Sequence, residues 1–549
     1  MNIKKSLLWV AAATLFVGCK SAMDIASASF DKAPTTLTKE GKKYTDEALK
    51  PWPHESLTTG FPGINLKGAY ELLKGMKPQT VIVGVVDSGV DIDHEDLKNV
   101  VWTNTKEIPG NGIDDDKNGY VDDIHGWNFL GNIGAENTEM TRIVKSGNKK
   151  NPDYAKAKEA YDKDRKEAKE DKEQYEQLLQ VVTFSDGILK NLLKKDVYTL
   201  EDVEKAAKGN KYDAYTSEAI AFMRQILGKT GNSAELKKEL EQGLEHFNTK
   251  LDRHLNTKFS PRKDILKDDE NDFSKKYYGD NNVKGPVLKD ALHGTHVAGI
   301  IGAERNNGKG MNGVANKVLI MAVRAVPDGD EYDKDVALAI RYAVDNGAKV
   351  INTSFGKGYS PHKEWVYDAI KYAAAKDVLI VNAAGNDTKN IDLDKNATFP
   401  MDEINGKEFA DNFLTVGALN YEYNDHLVAE FSNYGKRNVD VFAPGVKIYS
   451  TTPDNKYEFL QGTSMAAPEV AGLAALLRSY FPSLTAAQTK KVIMQSGVKV
   501  NMDVLIGDER GDAAPKKVPF ADLSTTGTIV NARNAVILAA QLTKTKMKK

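Results

Sequence analysis

The chain has 549 residues, 41% of them hydrophobic, enough to bury a substantial core and to hold more than one small module. Its 75 basic and 77 acidic residues nearly cancel, so a formal net charge of -2 gives no electrostatic basis for binding nucleic acid. A single cysteine excludes an intramolecular disulfide.

At the N-terminus, Lys4 and Lys5 precede an apolar run over residues 7–17 that is too short to span a bilayer and has the shape of an export signal. It ends in Leu15-Phe16-Val17-Gly18-Cys19, which resembles a bacterial lipobox. On that resemblance residues 1–18 are removed and Cys19 becomes a lipid-bearing N-terminus. The protein is then exported and held at a membrane of the bacterial cell envelope, such as the outer membrane, facing the periplasm or the cell surface. Each buried lipid CH₂ contributes about 0.8 kcal/mol, so several acyl chains would hold firmly. Residues 19–52 are polar and read as a tether.

The first strong structural signal is the apolar run over residues 80–86, a buried parallel strand that ends at Asp87 in Val-Val-Asp87-Ser-Gly. That places a carboxylate at the C-terminal edge of a strand, where open α/β sheets carry their chemistry. Downstream, Asp114, Asp116, Asn118 and Asp122 crowd one loop around Gly119, an arrangement of hard oxygen ligands suited to calcium. The same residues also read as an acidic loop of Asx turns.

Residues 131–289 are rich in Lys, Glu and Asp, yet their apolar residues are periodic. Tyr154, Tyr161, Ala168, Tyr175 and Val182 recur every seven positions, with Ala157 and Leu178 beside them, predicting a long helix with one narrow seam. Leu236, Leu240, Leu244, Phe247, Leu251 and Leu255 mark a second stripe. Between them Thr199-Leu-Glu-Asp predicts a capped helix start, and Ser217 precedes the apolar Ile220, Phe222, Met223, Ile226 and Leu227. The expectation is a helical hairpin or small bundle, able to cover a neighbouring cleft as a lid.

Three further segments carry chemistry. His293-Gly-Thr-His296-Val-Ala-Gly opens a helix small and apolar enough to be buried, and Gly-Thr-Ser464-Met-Ala-Ala-Pro468 opens another. Residues 378–386 read as a buried strand running into Ala383, Ala384, Gly385 and the amide of Asn386. A serine hydroxyl is a poor nucleophile near neutral pH; it needs a histidine to take its proton and a carboxylate to fix the imidazole tautomer. Asp87, a histidine and Ser464 supply those types, and a helix N-terminus at Ser464 favours developing negative charge.

These motifs, in the order Asp, His, Ser, closely resemble those of the subtilisin-like serine peptidases, from about residue 62 to about residue 542. The resemblance implies an α/β fold with a mostly parallel sheet between helices, over residues 53–130 and 290–542, with 131–289 inserted and 543–549 a basic tail. It implies a peptidase in which Ser464 attacks, His293 rather than His296 moves the proton, Asp87 orients it and Asn386 stabilises the oxyanion. Ser354, Phe355 and Gly356 would pair with the backbone of peptide or protein substrates, facing Ala383 to Gly385. Asp96, with Asn306 or Asn307, matches positions that bind calcium in the family. Residues 20–51 look too short for the folded propeptide many members carry, and Glu469 stands where a histidine is common. The alternative is a non-proteolytic surface binding protein of the same fold with an occluded cleft. Neither reading implies an oligomeric state.

Overall fold

The computed structural model describes residues 25–39, 41–208, 211–228, 230–507 and 515–547. Cys19 and the export signal lie outside the described residues. Among those described, no helix is long and apolar enough to cross a membrane.

The apolar runs form a nine-stranded sheet. Its strands are β1 (Val81–Asp87), β2 (Gly126–Asn128), β3 (Val318–Arg324), β4 (Val350–Thr353) and β5 (Leu379–Ala383), then β6 (Phe413–Leu419), β7 (Val441–Pro444), β8 (Val498–Lys499) and β9 (Thr528–Ile529). The order across the sheet is β8-β9-β7-β6-β5-β4-β1-β3-β2. Every neighbouring pair is parallel except β8 with β9.

Strands covered on both faces need apolar side chains at every position, and β1 shows the consequence. Val81, Val83 and Val85 join one core with the helices Leu292–Gly302, Thr463–Tyr480 and Ala532–Met547. Val86 joins a second core, under the helices Asp333–Asp345 and Lys363–Ala375. Helices on both sides make the three-layer α/β architecture expected from the sequence.

Two terminal expectations are corrected. The segment read as a tether is packed from Ile25 onward: Ile25, Leu49 and Trp52 are buried in the main core, and Trp52 Nε1 donates to the Val446 and Lys447 carbonyls at 3.1 Å each. Its few large apolar residues anchor a segment whose composition is otherwise polar. The basic tail likewise belongs, through Met547, to the helix Ala532–Met547, in which Thr543 is buried.

Between β2 and the His293 helix the chain forms the helices Glu139–Ser146, Tyr154–Leu193, Leu200–Ala207, Ala214–Leu227 and Ser233–Thr249. The heptad seam is used as the spacing predicts, since Ala157, Tyr161, Ala168 and Val182 are all buried. Thr199 and Asp202 form a reciprocal capping box. The next helix starts earlier than Ser217, because Asp213 caps it by accepting from Thr216 N. A mixed cluster of Val182, Leu189, Tyr198, Val203, Ile220, Met223, Leu236 and Leu240 holds the outer helices together.

Candidate active site

The C-terminal ends of β1, β4 and β5 bring Asp87, Ser354 and Asn386 to one edge of the sheet. Asp87 is buried, and its Oδ1 accepts from Ser88 N at 2.7 Å while meeting His293 Nδ1 at 2.7 Å. His293 can approach so closely because Gly294 follows it. A Cβ on Gly294 would lie 2.1 Å from the Gly89 carbonyl oxygen, an impossible contact. Burial disfavours the charged imidazole, but the neighbouring carboxylate outweighs burial, so the His293 pKa is raised above its ordinary value.

His296 has a different environment. Its Nε2 lies 3.1 Å from both the Ile448 and the Glu458 carbonyls, and burial pushes its pKa down to about 3. An imidazole held neutral between two carbonyl acceptors is a packing residue.

Ser464 occupies the first turn of the helix Thr463–Tyr480. Pro468, four residues on, has no N–H, so the Ser464 carbonyl receives no helical hydrogen bond from it. Ser354 Oγ donates to that carbonyl at 2.9 Å, and Ser464 Oγ donates to the Ser354 carbonyl at 3.0 Å. This reciprocal pair ties the serine to the chain leaving β4. The serine hydroxyl is therefore turned to Ser354 and makes no hydrogen bond to His293 in this arrangement.

Asn386 is oriented by Thr463, whose backbone N and Oγ1 both donate to Asn386 Oδ1 at 2.9 Å. The Nδ2 group is thereby aimed away from Thr463. A Cβ placed on Gly462, whose φ is 151°, would lie 3.4 Å from Asn386 Nδ2 and 3.5 Å from Ser464 N. Asn386 Nδ2 and Ser464 N thus lie on either side of a space that Gly462 leaves open. Ser464, Asn386, Ala383, Gly385, Phe355 and Gly356 line one cleft of about 700 Å³, while Ala384 is buried behind it. Asp87, His293 and Ser354 line an adjoining groove.

The oxygen-rich loop gathers Glu107, Asp114 and Asp116, whose carboxylate oxygens lie within 4.8 Å of one another. Asn118 and Asp122 are turned elsewhere: Asn118 Nδ2 donates to Asp123 Oδ2, and the Asp122 carboxylate accepts from Gly110 N and Gly112 N. Glu107 escaped the sequence pattern because it precedes the loop. Near the His293 helix, Asp96 pairs with Asn307 Nδ2 at 2.6 Å, whereas Asn306 N bonds to Asn312. Burial raises the Asp96 pKa. On the serine helix Glu469 is buried, 3.6 Å from His54 Nε2, and neither atom has a hydrogen-bond partner. That contact joins the N-terminal segment to the serine helix.

Residues 79–519 match the model of the subtilase family, Peptidase_S8. The chain is similar to a thermophilic serine proteinase of Bacillus sp. (strain AK1), 46% identical over 188 residues, 34% of this chain and 42% of the relative. It is similar to a cell wall-associated protease of Bacillus subtilis (strain 168), 37% identical over 239 residues, 43% of this chain and 24% of the relative. Thermitase of Thermoactinomyces vulgaris is 42% identical over 188 residues, 34% of this chain and 61% of the relative. The chain thus spans less than two thirds of each of these relatives. A family match over most of its length has one consequence: the chain belongs to the subtilase family.

Proposed function

We propose that the chain is a serine endopeptidase that hydrolyses peptide bonds in peptides and proteins through Asp87, His293 and Ser464. The observation that carries the reading is the 2.7 Å contact between Asp87 Oδ1 and His293 Nδ1. It keeps the proton on Nδ1, so Nε2 offers a lone pair to the cleft.

The reaction requires the Ser464 side chain to rotate away from the Ser354 carbonyl so that Oγ meets Nε2. The hydroxyl proton passes to Nε2 as the new C–O bond forms, and the carbonyl π electrons move onto oxygen. Ser464 N–H and Asn386 Nδ2 donate to that oxyanion. Collapse breaks the C–N bond, the leaving amine takes the proton from Nε2, and an acyl group remains on Ser464. A water molecule then repeats the sequence and releases the acid.

Two further readings accompany this one. The Gly18-Cys19 motif supports a lipid anchor at Cys19, to be checked by mass spectrometry of the mature N-terminus; an unmodified residue there contradicts it. Glu107, Asp114 and Asp116 would hold structural calcium, since their hard carboxylate oxygens suit that ion. Asp96 is a second candidate; Asn307 Nδ2 and Met311 N donate to its oxygens, as Asp116 N, Asn118 N and Gly119 N donate to those of Glu107 and Asp114.

The experiment that tests the catalytic reading is Ser464→Ala in the full chain. Casein hydrolysis should fall by roughly 10⁶, as expected for removing a triad nucleophile. Parental rates in the folded variant would overturn it.

A further inference from the structure

The helix Tyr154–Leu193 reaches the cleft that holds Ser464: Lys156 and Ala160, in its first two turns, help line it. The helix backbone that carries them is anchored by its neighbours. Ala157 is fully buried, and Tyr161 Oη donates to the Leu255 carbonyl at 3.0 Å. Lys156 Nζ donates to the Lys395 carbonyl at 3.1 Å and lies 5.3 Å from the centre of the Tyr359 ring. This uses part of the donor capacity of an ammonium group, which has three N–H bonds.

The other charges around the cleft are satisfied or suppressed. Lys357 meets Glu139 at 2.7 Å and Asp333 at 2.9 Å. Asp387 faces Lys389 at 3.8 Å. Asp330 accepts from Glu139 N at 2.7 Å. Burial pushes the Glu331 carboxyl up to about 8, so it carries little charge near neutral pH. Lys156 and Lys395 make no ion pair among the described residues. Lys156 also lines a neighbouring groove, together with Asp153 and Asp394, that Ser464 does not reach.

We propose that Lys156 and Lys395 form a subsite that selects an acidic side chain in the substrate segment flanking the scissile bond. The proposal rests on the peptidase reading above. It assigns the inserted helix a part in specificity: the helix supplies a charge to the wall of the cleft and leaves the bond-breaking groups elsewhere. A cation with free donors beside a bound carboxylate favours that substrate, and it disfavours a lysine at the same position by like-charge repulsion.

The test uses the full chain and fluorogenic peptides identical except for Glu, Gln or Lys at each position around the cleaved bond. At one position, kcat/KM should favour Glu over Lys by roughly tenfold, the scale of a few screened charge contacts. Lys156→Glu should remove or invert that preference, Lys395→Glu should weaken it, and Lys156→Gln gives a milder variant if the reversal impairs folding. Equal cleavage of the Glu and Lys peptides at every position overturns the proposal while the peptidase reading stands. So does an unchanged preference in the folded variants. Failure of the parental protein to cleave any peptide, or a simple ester, would remove the peptidase reading itself and this proposal with it.

Discussion

The sheet edge that carries Asp87 and the helices that follow it are built on different rules. At the edge, decisive contacts join residues far apart in the chain and leave no spare room. Gly294 abuts Gly89, Ser354 exchanges two hydrogen bonds with Ser464, and Thr463 fixes the amide of Asn386. The inserted helices add many local contacts to their shared apolar cluster. The 40-residue helix carries the i,i+4 pairs Lys158–Asp162, Lys163–Glu167, Lys166–Glu170 and Lys172–Glu176. Pairs of that kind contribute only about 0.3–0.5 kcal/mol each. The difference lies in where the molecule needs atomic precision. Chemistry demands it at the sheet edge, whereas a wall of a cleft needs only a stable surface.

Of the changes that leave Ser464 in place, breaking the carboxylate–imidazole pair should have the largest effect. Asp87→Asn leaves the shape of the site but favours the wrong imidazole tautomer, so kcat should fall by about 10⁴. The variant also changes the pH profile. Catalysis needs neutral His293, and Asp87 raises its pKa, so parental activity is lost on acidification through a value above the ordinary 6.5. Removing the charge should move that acid limb to lower pH, as a rate profile would reveal; an unmoved limb contradicts the assigned pairing.

Asn386→Ala should lower kcat by roughly 10²–10³ with a smaller change in KM, because the lost donor acts on charge that develops in the transition state. Steady-state kinetics on a peptide substrate would separate the two parameters. A loss confined to KM would place Asn386 in ground-state binding instead.

Leu189→Ala sharpens the comparison from the other side. Leu189 is fully buried in the outer helical cluster, and its truncation should cost about 2–5 kcal/mol of that cluster's stability. Hydrogen exchange should quicken in the helices around it while hydrolysis of a small ester persists. Loss of ester hydrolysis in the folded variant would show that the outer helices help build the catalytic groups.

The mildest perturbation is chelation. If the Glu107, Asp114 and Asp116 group holds calcium, a hundredfold excess over Kd adds about 2.7 kcal/mol of stability. A chelator should therefore lower the melting temperature and added calcium restore it, whereas an unchanged curve removes the site.

The residues proposed to be catalytic stood out in the sequence because each has small neighbours that allow close approach, as in His293-Gly and Gly-Thr-Ser464. The long helix was legible from its seven-residue seam. Contacts set by packing between distant elements were not. Nothing near Lys156 in the chain signals the cleft, because its position depends on how the helix docks. Glu107 joins Asp114 and Asp116 only through the path of the folded loop. His54 meets Glu469 across most of the chain. The polar composition after Cys19 suggested a free tether, yet Ile25, Leu49 and Trp52 anchor the segment from residue 25 onward to the main core.

The central claim is that Ser464 is a nucleophile activated by His293, and a fluorophosphonate probe addresses it directly. The folded full-length protein should acquire one covalent adduct, mapped to Ser464 by peptide mass spectrometry, and labelling should slow by orders of magnitude in Asp87→Asn. Folded protein that stays unlabelled, or a label mapped to any other residue, would contradict the account.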